Sequence, residues 1–336
     1  MDGAMVTDMI PPAAAPAFLG QAGWGDAAIV PLAGDASFRR YFRVVDGGRR
    51  AVLMDAPPPH EDPRPFIAIA EHLLADGFAA PRILARDLEE GLVLIEDFGD
   101  LRVKEHLDDQ PDAELAVYGR AIDLLADLHR LPAAPVPPYD RAVYQREVDL
   151  LTQWYCPAIG LAVDQDAYVA AWDAVLPIVE QSASPTVTVL RDYHAENIML
   201  IDRATSHGLG LLDFQDALAG HPAYDLVSLL QDARRDVPPQ IEAAMLARYK
   251  AIAAPPPDFD AAYAVLGAQR NAKIIGIFTR LWQRDGKPRY LSFLPRMWDL
   301  LERDLAHPAL EPVAQWFAAN IPADQRHRAL VEFAPA

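Results

Sequence analysis

The first hundred residues of this 336-residue chain contain no lysine, and the whole chain contains one cysteine, Cys156. A lone cysteine excludes an internal disulfide and any zinc cluster built on several thiolates. No apolar run reaches the roughly 18 residues that a bilayer-spanning helix needs. The opening stretch, MDGAMVTDMIPPAAAPAFLG, lacks a basic start and is interrupted early by two prolines, so it does not read as a secretory signal. Positive charge is scarce: 30 Lys and Arg stand against 48 Asp and Glu, a net charge of -18. Nucleic acid and anionic membranes repel such a chain, and an anionic ligand needs a local basic cluster or a metal ion. The expectation is a soluble cytoplasmic protein with no nucleic-acid, membrane or obligate protein partner.

What is present suffices for a sizeable core. Hydrophobic residues make up 51% of the chain, and its length suits two lobes. Residues 1 to about 20, rich in Ala and Pro, read as a loose lead-in. From Ile29 the pattern becomes β-like. Aromatic and β-branched residues alternate with arginines over Phe38–Val45, the period of a half-buried strand. Asp46-Gly47-Gly48 predicts a hairpin turn and Arg49–Met54 the returning strand. Pro65–Ala75 has helical periodicity, and Arg82–Arg86 and Leu92–Glu96 read as two further strands. After Gly99 helical spacing dominates, over Asp112–Arg130, Arg141–Tyr155 and Asp166–Gln181. A short β-rich insert, Thr186–Phe214, precedes helices to the end. The fold class expected is α+β in two lobes, a small β-rich one over residues 1–97 and a larger helical one over 98–336, hinged near Glu96–Gly99.

The insert carries the chemistry. Asp192 and Asn197 lie in Leu190-Arg191-Asp192-Tyr193-His194-Ala195-Glu196-Asn197, just ahead of a short apolar strand; a second apolar strand ends in Asp213-Phe214-Gln215. Such a strand–loop–strand device presents oxygen groups from one edge. Asp192 is suited to accept a proton from a hydroxyl. Asn197 and Asp213 are suited to Mg²⁺, which prefers hard oxygen donors and keeps part of its water shell. Phosphoryl transfer needs both functions, a positioned acceptor and neutralised phosphates. The alternative is an ordinary polar loop, since Asp and Asn are common turn formers.

These residues follow the protein-kinase pattern H-R-D-x-x-x-x-N … D-F-G, with Leu190 for the His and Gln215 for the last Gly. Nearly the whole chain resembles the aminoglycoside phosphotransferase family of kinases. Several segments resemble its bacterial anomeric sugar kinases of cell-wall recycling, which act at C1 of N-acetylmuramate and N-acetylglucosamine. Those segments are Gly34–Arg43, Met54–Pro58, Arg191–His194, Leu212–Ala217, Gly220–Leu226 and Gln269–Lys273. The resemblance implies a two-lobed protein-kinase-like fold with ATP and Mg²⁺ as cofactors and an amino sugar as acceptor. It makes Gly34, Ser37 and Phe38 part of a loop over the phosphates, Glu96 and Phe98 part of an adenine-binding hinge, and Asp192 the base. Related kinases place a phosphate-binding lysine where this chain has Met54, so either Arg43 or Arg39 is expected to supply that cation or the metal is expected to do more of the work. Glu71 would then lack its usual partner and read as a solvated helix residue.

Acceptor contacts are expected from the helical lobe. His194 either faces the acceptor or packs the loop, and Asp216 either binds sugar hydroxyls or caps the next segment. Arg270, Lys273 and Arg280 roughly share a helix face and could receive a sugar carboxylate, or form surface ion pairs. Trp154 could stack on a sugar ring or pack in the core. Asp225 is expected to bond loop backbone, and His129 to be a packed core histidine. Other acceptors (an aminoglycoside, choline or homoserine) and a non-catalytic nucleotide-binding pseudokinase remain as alternatives.

Overall fold

The computed structural model describes residues 10–32, 39–203 and 205–326. The chain divides into two compact units: residues 1–111 with 196–216, and residues 112–195 with 217–336. The first unit thus extends past the expected boundary at residue 97 and takes back the second half of the β-rich insert.

The first unit is built on a five-stranded antiparallel sheet in the order β1-β2-β3-β5-β4. Its strands are β1 (Ala28–Leu32), β2 (Arg40–Asp46), β3 (Arg49–Asp55), β4 (Ile83–Asp87) and β5 (Leu92–Glu96). The β2–β3 hairpin turns at Gly47, whose φ of 57° suits a residue without a Cβ. Alternation along the strands sorts the two faces. Phe42, Val44, Ala51, Leu53, Leu92 and Leu94 are fully buried on one of them. Phe18, Leu19 and Trp24 cluster with that face. Phe18 and Leu19 come from a helix, α1 (Ala15–Gln21), within the expected loose lead-in. Burial of these two side chains explains it: tertiary packing outweighs an Ala/Pro-rich composition, and Pro16 falls in the first turn, where a missing N–H costs little. Tyr41, Arg43, Val52 and Met54 face the other way, in the pairs Tyr41↔Met54 and Arg43↔Val52.

The helix α2 (Arg64–Ala75) follows β3, and α3 (Val103–Asp109) follows β5. A hairpin of Ile198–Leu200 with Leu209–Leu211 completes this unit. Leu200 N–H donates to Leu101 O at 2.8 Å and Leu211 N–H to Ala79 O at 2.8 Å, which is why the hairpin belongs here. A Cβ on Gly210 would lie 2.7 Å from the Phe98 ring, so only glycine lets that ring lie against the hairpin.

The second unit is helical around a two-stranded ladder of Val187–Val189 with Leu218–Gly220. Its helices include α4 (Glu114–Leu128) and α5 (Arg141–Leu150), which runs into a π-helical turn, Leu151–Tyr155. The helices Ala223–Leu230, Pro239–Ala253, Phe259–Gln283, Leu294–Leu305 and Glu311–Asn320 follow. The 25-residue Phe259–Gln283 helix buries side chains around most of its circumference, as a central helix does. No described helix is long and apolar enough to cross a membrane.

Candidate active site

The strand Val187–Val189 delivers the chain into the loop that carries Asp192. Arg191 has φ 71°, a left-handed conformation uncommon for a residue with a side chain. Asp225, from the helix Ala223–Leu230, holds this turn: its carboxylate accepts from Leu190 N–H at 2.7 Å and from Arg191 N–H at 2.8 Å. Ser228 Oγ donates to the Arg191 carbonyl at 2.9 Å. Tyr193 OH donates to Ala121 O at 2.9 Å, and Ala195 N–H reaches Asp232 Oδ2 at 3.3 Å. Asp225 therefore has the backbone-bonding role expected of it. Burial pushes its carboxyl up to about 7, against the pull of the two N–H bonds.

Behind the loop lies a buried ionic network centred on Glu147 of α5. Glu147 pairs with the Arg191 guanidinium and accepts from Tyr139 OH, from Lys273 Nζ at 2.9 Å and from Gln269 Nε2 at 3.0 Å. Burial alone would raise this carboxyl, but the Lys273 and Arg191 charges hold it down at about 2. Lys273 Nζ also donates to Tyr224 OH at 3.2 Å.

In front of the loop is a cavity. Asp192, Arg234, Arg270 and Lys273 form its polar wall, and Ile277 and Phe278 belong to its apolar wall. Arg270 is only 4% exposed. Its Nη2 donates to Ser228 Oγ at 2.9 Å, while Nη1 is buried with no hydrogen-bond partner. Arg234 Nη1 lies 3.2 Å from Nε2 of His194, which is 3% exposed.

Asn197 and Asp213 belong to the first unit, at the base of the hairpin. Leu212 N–H donates to Asn197 O at 3.0 Å, and Asn197 Nδ2 lies 3.4 Å from Asp213 Oδ2. Asp213 also has a left-handed φ, 58°, and its side chain is 44% exposed. Phe214 beside it is buried and stacks on Phe66 with centroids 5.0 Å apart. An amide and a carboxylate this close form a two-oxygen donor set once the amide presents Oδ1, and this fits Mg²⁺. Among the described residues no group of three or more His, Cys, Asp or Glu could hold a metal by itself.

Other expected site residues divide. Gly34, Ser37 and Phe38 lie outside the described residues. The Arg43 guanidinium meets Asp97 at 2.7 Å, Asp100 at 2.7 Å and Gly99 O at 3.2 Å. Arg39 lies 3.8 Å from Asp213 and 3.7 Å from Glu61, so it is the arginine beside the metal-ligand candidate. Met54 is fully buried. Glu71 is exposed and sits 3.4 Å from Arg86. Glu96 pairs with Arg203, and its N–H is taken by Arg82 O at 2.9 Å. The Phe98 ring lies under the Arg203 guanidinium at 5.4 Å. Asp216 is exposed and accepts from Gln215 Nε2 at 3.1 Å. Trp154 is half-buried in the π-helical turn and does not line the cavity. Arg280 is absent from the cavity wall too, to which its helix contributes Arg270, Lys273, Ile274, Ile277 and Phe278. His129 is a core histidine, 2.8 Å from Tyr249 OH and held down near 3 by burial. Sequence reasoning missed Arg234 and Glu147, which carry no spacing signal and join the candidate site only through tertiary contacts.

The chain is 40% identical over 313 residues to an N-acetylmuramate/N-acetylglucosamine kinase of Pseudomonas aeruginosa, covering 88% of this chain and 90% of that one. A protein of the same name from Caulobacter vibrioides is 38% identical over 94% of this chain and 98% of its own. Among solved structures, a choline/ethanolamine kinase family protein of Mesorhizobium loti superposes with TM-score 0.61 at 13% identity, over 87% of this chain and 93% of that one. An aminoglycoside phosphotransferase of Streptomyces rimosus, solved with ADP and streptomycin, gives TM-score 0.53 at 18% identity, over 79% and 99%. These likenesses establish a protein-kinase-like fold. Residues 28–265, which carry β1–β5, the Asp192 loop and the Asn197–Asp213 hairpin, match the phosphotransferase enzyme family, and the chain belongs to it.

Proposed function

We propose that this protein is an ATP-dependent sugar kinase that phosphorylates the anomeric hydroxyl of N-acetylmuramate, N-acetylglucosamine or both, as a step in peptidoglycan recycling. The observation that carries the reading is the Asp192 loop, fixed by Asp225 and opening on a cavity walled by Arg234, Arg270 and Lys273. The relatives named for these sugars supply the substrate class.

Asp192 accepts the proton of the C1 hydroxyl. The freed oxygen forms a bond to the γ-phosphorus of ATP as the bond to the β,γ-bridging oxygen breaks, giving sugar 1-phosphate and ADP. An anomeric hydroxyl is more acidic than an ordinary alcohol, so a carboxylate suffices as base. Asn197 and Asp213 would hold Mg²⁺, which when bound neutralises phosphate charge. Arg39, beside Asp213, is the residue best placed to contribute the cation absent at Met54. The cationic cavity wall disfavours choline and aminoglycosides, which carry positive charge themselves.

Incubation with Mg²⁺-ATP and N-acetylmuramate, N-acetylglucosamine, choline or kanamycin, followed by ³¹P NMR, tests the reading. A new sugar 1-phosphate doublet coupled to the anomeric proton is expected. ADP formed only with choline or kanamycin would overturn the acceptor, and ATP binding without turnover of any acceptor would favour a pseudokinase.

A further inference from the structure

Three cations line the cavity beside Asp192, and they are not equivalent. Lys273 is tied at its back to Glu147 and Tyr224, at 2.9 and 3.2 Å. That ammonium has two partners already and serves chiefly to lock the Glu147–Arg191 network under the loop. Arg270 differs. One arm of its guanidinium is fixed on Ser228 Oγ at 2.9 Å, while the other, Nη1, is buried without an acceptor and belongs to the cavity wall. No hydrogen bond joins Nη1 to its neighbour Asp225, whose two oxygens accept from the loop N–H groups. Buried polar groups are nearly always paired, and a charged donor left over in a concave site selects an acceptor from the ligand. Arg234 lies on the same wall, held at 3.2 Å from His194.

We propose that Arg270, assisted by Arg234, is the specificity-determining pair of this site and binds a carboxylate carried by the acceptor sugar. The planar fork of an arginine matches a carboxylate, and the contact is charge-assisted. The apolar stretch from Ile274 to Phe278 would accept the short carbon arm bearing that group. A sugar lacking the arm would leave Arg270 Nη1 unmet and be the poorer substrate. The inference rests on the sugar-kinase reading and sharpens it: N-acetylmuramate, which has a lactyl carboxylate, is preferred to N-acetylglucosamine, which has none.

The test compares kcat/KM for the two sugars, and for N-acetylmuramate amidated at its lactyl group, in the full-length protein and in Arg270→Lys, Arg270→Gln and Arg234→Gln. Loss of a charge-assisted contact lowers the ratio of N-acetylmuramate to N-acetylglucosamine by about tenfold or more. The amide should suffer a similar loss in the parent protein and little further loss in Arg270→Gln. Arg270→Lys, which keeps the charge without the fork, should recover part of the ratio. Should Arg270→Gln fail to fold, Arg234→Gln and the amidated sugar still decide the matter. Equal losses on both sugars, or a rise in KM for ATP instead, would overturn the proposal and make these arginines phosphate ligands. If the parent protein turns over neither sugar, the kinase reading itself fails and takes this inference with it; turnover of both sugars at an unaltered ratio in the variants sinks the inference alone.

Discussion

Asp192 and Asp225 are both carboxylates at the same loop, and their surroundings give them different work. Asp225 is fully buried and spends both oxygens on the N–H groups of Leu190 and Arg191. Asp192 lines the cavity. Asp192→Asn preserves shape while removing the proton acceptor, so turnover should fall by about 10²- to 10⁴-fold with little change in Tm or ATP affinity. Wild-type turnover in that variant would refute the assignment. Asp225→Ala should instead lower Tm and kcat together. It strands two buried N–H groups, each worth about 1–3 kcal/mol, and releases the left-handed turn at Arg191. Parallel calorimetry and steady-state kinetics separate the two behaviours. The grouping of Asp192, Asn197 and Asp213 was legible in sequence because all three fall within one short strand–loop–strand segment. The ion-pair partners of Arg39 and Arg43 were not. Both precede or lie in β2 at positions of the same parity, and only the placement of Asp97, Asp100 and Asp213 assigns one to the β5 end and the other to the hairpin.

At the scale of elements, the long helix Phe259–Gln283 positions Arg270 and Lys273 by packing closely on its neighbours. A Cβ on Gly276 would lie 2.3 Å from the carbonyl carbon of Leu150 and 2.4 Å from its oxygen. That neighbour is backbone, at the junction of α5 with the π-helical turn, and it has little freedom to retreat. Gly276→Ala should therefore destabilise the protein by about 1–3 kcal/mol through overpacking, despite gaining about 1 kcal/mol in intrinsic helix propensity. Gly20 in α1 has nothing within 4 Å of such a Cβ, so Gly20→Ala should be neutral or stabilising. Chemical denaturation of both variants checks the pair, and equal effects would show that propensity rather than close approach governs Gly276. The strands were legible from alternation, since one sheet face is buried against α1. Within the lead-in the helix α1 was not legible, because it owes its existence to that burial. Arg141–Tyr155 was read as one helix, although the π-helical register from Leu151 on is a matter of tertiary fit.

For the molecule as a whole, buried titratable groups couple stability to pH with opposing signs. Burial holds His129 and His221 down near 3 and 4, below their ordinary 6.5. The unfolded chain therefore binds more protons at these sites below about pH 6.5, and stability is lost on acidification. Asp225 and Asp304 behave oppositely. Burial pushes Asp304 up to about 8 from 3.8, although the Arg303 charge and donors from Gln231 and Asn271 pull it down. Between about pH 4 and 7 for Asp225, and between about pH 4 and 8 for Asp304, the folded chain holds protons on these carboxyls that the unfolded chain has released. Unfolding then releases protons, so stability falls as pH rises through those windows. Below about 6.5 the histidines offset this trend; above it the two aspartates act without them, and the net charge of -18 adds self-repulsion in the same direction. Tm measured calorimetrically should therefore decline from pH 6.5 to 8. Asp304→Asn removes one of the two protons involved and changes the overall charge by a single unit, so its decline should be shallower than the parent's. An identical slope in parent and variant would mean that Asp304 is already ionised in the folded protein at pH 6.5, and that charge repulsion alone sets the alkaline limit.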